Sequence, residues 1–158
     1  MSLFETEQQA NSANDGARSW VQSHMRDLLP NAPEIFAGEA IIAVNRGQHD
    51  GSFGEGIQPF YVMVRQFADV SDPDFIERLT REITTPTTIS SPGFKAFYAA
   101  WGDPGRTRAA LVSLFDNREN AHRCYDRVKQ LMREKGGAAI PPPNQIIAGE
   151  TTAAAMSP

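Results

Sequence analysis

Alternating apolar positions predict four strands between residue 59 and residue 150. In residues 59–67 (PFYVMVRQF) apolar side chains occupy both alternating sets, so we expect both faces of this strand to be covered. Three further segments are rich in β-forming residues: 94–101, 107–115 and 145–150. The turn Asp103-Pro104-Gly105 is too short for a crossover connection. It therefore predicts an antiparallel hairpin.

Two amphipathic helices are predicted between these strands. The first begins at Asp72-Pro73-Asp74, which supplies an N-cap, a proline at the first helical position and an early acid, and residues 84–92 (TTPTTISSP) are expected to end it. The second begins at residues 116–119 and ends at Gly136-Gly137. The order βαββαβ predicts an α+β fold of the ferredoxin-like type, with both helices on one face of the sheet.

The first 45 residues carry a further helix and strand. Shifting residues 2–39 by 111 positions, without a gap, matches the start SLF and the end AGE of residues 113–150. We interpret this as a partial internal repeat; the alternative is that helix-proline-strand endings look alike by chance. The predicted organisation is an N-terminal arm at 1–45, a Gly-rich connector at 46–58, a domain at 59–150 and a flexible tail at 151–158. The arm has no sheet of its own, so it must pack on the domain or on a partner subunit.

Composition and charge exclude several classes of protein. The 158 residues are 41% hydrophobic and carry a net charge of -4 without a basic stripe, so we expect a globular domain that does not bind nucleic acid. No apolar run approaches the roughly 20 residues of a membrane helix. The single cysteine, Cys124, and three scattered histidines do not form a metal motif. The first ten residues lack a secretory signal, so a cytoplasmic location is expected.

Four segments carry a resemblance to a known family: PFYVMVRQF, the strand entry at 91–94 (SPGF), the run at 112–116 (VSLFD) and the closing AGE. With these segments, residues 60–150 resemble the dimeric α/β-barrel superfamily, specifically domains like the antibiotic-biosynthesis monooxygenases. The resemblance implies two sheets packed face to face in a homodimer or higher oligomer. Some members of the superfamily oxidise phenolic polyketides with O2 and no cofactor, whereas others bind ligands. The shared motifs are structural, so the fold transfers better than the activity.

Arg65 and Tyr61 form the strongest candidate pair. Arg65 lies in mid-strand among apolar neighbours, where a buried cation needs a partner. It is a candidate to hold a phenolate or carboxylate; the alternative is a structural ion pair with Glu39, Glu150 or a neighbouring acid at the dimer interface. Tyr61 lies four residues away on the same face and can donate a hydrogen bond, although a core aromatic is the commoner role.

His122 completes the set of candidate catalytic residues. It falls in the first turn of the second predicted helix and can act as a base near neutral pH, unless it is simply solvated. Asp126, four residues on, is its only candidate orienting acid. The candidate substrate-binding residues are Tyr98, Trp101 and Met63.

Two functions follow from these residues. The first is a cofactor-independent monooxygenase acting on a small electron-rich aromatic or polyketide-like molecule. The second is a non-catalytic module for ligand binding or assembly. A cavity of about 300 Å3 or more beside Tyr61, Arg65 and Trp101 favours an enzyme or binder, whereas a filled interior favours assembly.

Overall fold

A computed structural model of the chain describes residues 4–25, 36–46, 59–136 and 141–151. The chain forms two units, residues 1–35 and 36–158. In the first unit, helix α1 (Glu7–His24) begins after Thr6, whose side chain accepts a hydrogen bond from the backbone N–H of Gln9. Nearly all of the predicted connector, and the predicted tail beyond Thr151, lie outside the described residues.

The second unit is a five-stranded antiparallel sheet with helices on one face. Its strands are β1 (Glu39–Asn45), β2 (Tyr61–Phe67), β3 (Phe94–Trp101), β4 (Ala109–Phe115) and β5 (Gln145–Glu150). Its helices are α2 (Pro73–Leu79), α3 (Thr85–Ile89) and α4 (Arg118–Gly136). The strand order is β1-β3-β4-β2-β5, and every neighbouring pair is antiparallel. Without β1, this is the order of a ferredoxin-like βαββαβ unit, so the predicted fold class is confirmed.

Strand β1 extends this sheet beyond the predicted unit. It pairs with the edge of β3, so that Ile42 lies opposite Ala99 and Val44 lies opposite Phe97. The strand of the predicted arm therefore packs on the sheet of its own chain. Helix α1 starts 111 positions before α4, as the repeat alignment requires, but β1 begins only at Glu39, where that alignment ends. The internal repeat stays a prediction.

The helical region after β2 runs past its predicted end, and the prediction that residues 84–92 stop it is wrong. A π-helical turn (Thr80–Thr84) joins α2 to α3, and Pro86 follows this wider turn in the first turn of α3. The hydroxyl of Thr80 donates to the Ile76 carbonyl, and the hydroxyl of Thr85 donates to the Thr80 carbonyl, each at 2.8 Å. Because these hydroxyls bond along the helix, a threonine-rich segment continues it and packs into the core.

The two alternating sets of β2 lie on opposite faces of the sheet, as predicted. Tyr61 and Met63 are buried under the helices with α4 residues that include Cys124. Val62 and Val64 pack instead against a smaller cluster on the other face, formed by Ala96, Tyr98 and Val112. The helix-covered face is therefore the one that carries Arg65.

Candidate functional site

A cavity of about 330 Å3 lies between the helix-covered face of the sheet and helices α2 and α4. This volume falls within the range of about 300–1,000 Å3 that is usual for ligand pockets. Most of its wall is apolar, with contributions from Ile41, Phe67, Val70, Ile76, Leu111 and Met132. Side chains do not fill this part of the interior, so it has room for a small molecule.

The lining residues differ in exposure, which shows where the cavity opens. Arg65 and Trp101 are only 5% exposed and form its inner end against the sheet. Lys129, Arg133 and Pro142 also line it and are exposed. The opening therefore lies along the C-terminal half of α4 and the segment 141–143.

Arg65 brings an unneutralised charge to the inner end. Its Nε atom is buried and has no hydrogen-bond partner, and no carboxylate of the described residues pairs with it. The two acids that the sequence offered lie elsewhere, because Glu150 pairs with Tyr61 in the sheet and Glu39 pairs with Trp101. Burial lowers the pKa of Arg65, which nearby Cys124 and Tyr125 oppose, but a guanidinium stays charged in proteins.

Glu77 organises the other polar part of the lining. Its Oε2 accepts hydrogen bonds from the indole N–H of Trp101 at 3.3 Å and from Nη2 of Arg106 at 3.1 Å. Its Oε1 accepts from Arg81 at 2.9 Å. The hydrogen bond from Arg81 is the main cause that lowers the pKa of Glu77, and the Trp101 hydrogen bond adds to it against the effect of burial. Glu77 is thus an ionised carboxylate with both oxygens engaged, which makes it a poor proton acceptor.

Trp101 forms an aromatic wall held in place by this network. Arg106 lies over its indole ring, with the guanidinium carbon 5.2 Å from the ring centroid, and also contacts Asp74 at 2.8 Å. The ring is therefore fixed by a hydrogen bond at its edge and a cation on one face. Trp101 presents a rigid apolar surface to the cavity.

Tyr61 and His122 come together outside the cavity lining. The Tyr61 hydroxyl lies 3.2 Å from Nε2 of His122, and the ring centroids are 5.7 Å apart. Tyr61 begins β2, and Arg65 follows it by four residues, about 13 Å at the usual rise of a strand. The structure joins two of the predicted catalytic residues to each other and leaves the third, Arg65, at a separate place.

The three predicted substrate-binding residues also lie at separate places. Trp101 lines the cavity. Met63 is 2% exposed and belongs to the core instead. Tyr98 lies on the opposite face of the sheet, where its hydroxyl donates to Asn45 and where burial raises its pKa against the effect of that hydrogen bond.

Sequence reasoning did not single out Glu77, Tyr125 or Lys129, which also line the cavity. The signal for the last two is their spacing, because residues 125, 129 and 133 recur every four positions on a helix. Glu77 had no such signal, because its partners Trp101 and Arg106 lie 24 and 29 residues further along the chain.

None of the helices among the described residues combines the length and apolar character that crossing a membrane requires. Within those same residues, histidine, cysteine and acidic side chains form no group of three or more that is placed to hold a metal ion.

No family model matches the sequence, and no curated protein matches it. Among solved structures, a protein of unknown function from Nitrosomonas europaea is similar at 14% identity and a TM-score of 0.49, covering 63% of this chain and 95% of that one. SnoaB, a cofactor-independent oxygenase from Streptomyces nogalater, is similar at 15% identity and a TM-score of 0.47, covering 63% and 97%. An anthrone oxidase-like protein is similar at 16% identity and a TM-score of 0.46, covering 86% and 65%.

One of these three solved structures is a cofactor-independent oxygenase. Their identities to this chain do not exceed 16%, and their TM-scores stay below 0.5. The activity of this chain therefore has to be argued from its own residues.

Proposed function

We propose that the cavity binds a small aromatic molecule as its anion, and that the protein oxidises this molecule with O2 without a cofactor. The observation that carries the proposal is Arg65, a buried guanidinium at the inner end of an apolar cavity with no carboxylate partner among the described residues. A buried cation without a counterion is costly. A phenolate, enolate or carboxylate placed beside it would remove that cost through a charge-assisted hydrogen bond.

The apolar wall of the cavity determines which kind of ligand body fits beside the anionic group. Trp101, Phe67 and Leu111 surround the space beside Arg65 with aromatic and aliphatic surface. Such a wall favours a planar hydrocarbon body over a sugar or a peptide. Because Arg65 itself is buried, its attraction for an anion is stronger than that of a cation at the surface.

The reaction that this environment suits begins with an acidic C–H or O–H group of the substrate. Arg65 favours the deprotonated form, so the substrate loses its proton more readily when bound. The electron-rich anion then reduces O2 and forms a C–O bond, giving a hydroperoxide. Loss of water from the hydroperoxide leaves a carbonyl, so that a CH2 group and O2 become C=O and H2O with all electrons supplied by the substrate.

Binding without turnover is the second candidate. One observation favours it: the carboxylate in the cavity lining, Glu77, already accepts four hydrogen bonds, and the Tyr61–His122 pair lies outside the lining. The substrate proton would then pass to solvent, because the Arg65 guanidinium stabilises the anion but accepts no proton.

Oxygen uptake tests the proposal. Purified protein with excess chelator is mixed with dithranol, an electron-rich hydroxyanthrone, in an oxygen electrode. We expect one O2 to be consumed for each quinone formed, and the rate to fall by about 10- to 100-fold in Arg65→Met, since hydrogen bonds to charged groups contribute about 1.5–3 kcal/mol. Arg127→Met, an exposed position on α4 outside the cavity lining, is the matched control and keeps the rate. Tight, Arg65-dependent binding without O2 uptake would identify the second candidate instead.

A further inference from the structure

The charges that line the cavity are unbalanced. Arg65, Lys129 and Arg133 are cations of the lining, and Glu77 is its one carboxylate among the described residues. Glu77 is already neutralised by Arg81 and Arg106. The α4 side of the cavity therefore keeps a positive charge that no described acid of the lining offsets.

Lys129 and Arg133 are the two cations of α4 that line the cavity. Another cation of this helix, Arg123, forms an ion pair with Glu119 four residues away. Neither Lys129 nor Arg133 joins an ion pair with any described carboxylate. Their ammonium and guanidinium groups therefore remain available at the opening of the cavity.

Tyr125 lies between the inner and outer cations. The guanidinium carbon of Arg65 is 5.6 Å from the Tyr125 ring centroid, and Nζ of Lys129 is 5.9 Å from it. Arg65 is buried, whereas Lys129 is exposed. A molecule that reaches Arg65 from the opening thus passes a second cation on the same side.

We propose that the ligand carries two acidic groups, the inner one held by Arg65 and the outer one by Lys129 and Arg133. This inference rests on the proposed function and narrows its ligand to a planar aromatic with a phenol or acid at one end and a carboxylate at the other. The outer cations determine specificity, because they distinguish a dianion from a monoanion that has the same ring system.

Isothermal titration with two ligands of the same ring tests this inference. Naphthalene-2,6-dicarboxylate carries two acids, and 2-naphthoate carries one. We expect the dicarboxylate to bind about fivefold more tightly, because an exposed charge pair contributes up to about 1 kcal/mol, and we expect this advantage to shrink with added salt. The advantage should disappear in the double variant Lys129→Met with Arg133→Met. It should persist in Lys135→Met, an exposed position of the same helix that does not line the cavity.

The outcomes separate the two proposals. If the two ligands bind equally, or the double variant keeps the preference, the second acidic group is refuted, while Arg65-dependent binding of 2-naphthoate would leave the proposed function standing. If neither ligand binds the unmodified protein, the anion site at Arg65 is refuted and the inference fails with it.

Discussion

Arg65 and Arg106 both line or border the same cavity, and each has a buried Nε without a hydrogen-bond partner, yet they differ in what surrounds them. Arg106 contacts the carboxylates of Asp74 and Glu77 and lies over Trp101. Arg65 has no carboxylate partner among the described residues and lies near Tyr125. The charge of Arg106 is thus explained by the fold, whereas the charge of Arg65 requires a partner from outside it.

The largest expected effect is on stability, when Arg65 and Arg106 are replaced in two separate single variants. Arg65→Met removes a buried charge that nothing described neutralises, so we expect the free energy of unfolding to rise by about 1–3 kcal/mol. Arg106→Met removes the cation that contacts Asp74 and one of the two cations that contact Glu77, so we expect a loss of about 1 kcal/mol, reduced by the partial exposure of Arg106. Chemical denaturation of both variants measures the difference. If both substitutions changed the free energy of unfolding in the same direction, the two arginines would not differ in whether the fold neutralises their charge.

Glu77→Gln tests the network around Arg106, in which both carboxylate oxygens of Glu77 accept hydrogen bonds. The quantity to follow is the pH dependence of stability. The folded-state pKa of Glu77 is lowered by Arg81 and Trp101, so its carboxylate stabilises the fold at pH values above the ordinary glutamate pKa of about 4.3. That stabilisation is lost as the pH falls from there through the lowered value. We expect the unmodified protein to be about 1 kcal/mol more stable than Glu77→Gln at pH 7, and this margin to vanish in strong acid.

Thermal unfolding of the two proteins from pH 7 to pH 2 measures that margin. For a chain of this size, 1 kcal/mol corresponds to about 2–4 °C in Tm. Asp74→Asn is the matched control. Asp74 also contacts Arg106, but its side chain is far more exposed than that of Glu77. A margin that is constant across the pH range would mean that the Glu77 charge does not stabilise the network.

The smallest expected effect is at His122. It bonds to Tyr61 and does not line the cavity, so His122→Gln should change ligand affinity and O2 uptake by less than about twofold, as for a surface substitution. Tyr61→Phe removes the same hydrogen bond from the other side and serves as the paired variant. A rate that falls by more than this with either substitution would place the pair in the reaction and contradict the assignment of the reaction to the cavity.

The sequence was enough to predict four of the five strands and part of the site. Strands β3 and β5 have the predicted bounds, and β2 begins two residues later than predicted, because alternation and turn residues are local signals. The continuation of the helix through Pro86 was not predictable in this way. It depends on a widened turn and on threonine hydroxyls that donate to backbone carbonyls of the helix. A segment rich in threonine, serine and proline otherwise predicts a loop.

In the site, too, residues marked by a local signal were predictable and residues joined by long-range contacts were not. Arg65 was recognisable because a charge in the middle of an apolar strand conflicts with burial, and this conflict is visible in the sequence alone. Alternation along β3 separates Tyr98 from Trp101, but which of them faces the cavity depends on the side that the helices cover. Glu77 escaped notice because its network joins residues that are far apart in the chain.

The central claim is that the charge of Arg65 binds an anionic aromatic ligand inside the cavity. Isothermal titration of 2-naphthoate and of its neutral analogue 2-naphthalenemethanol, against the unmodified protein and folded Arg65→Met, tests it most directly. We predict that the unmodified protein binds the anion at least about tenfold more tightly than the alcohol, and that Arg65→Met loses this preference. Equal preference for the anion in both proteins would contradict the account.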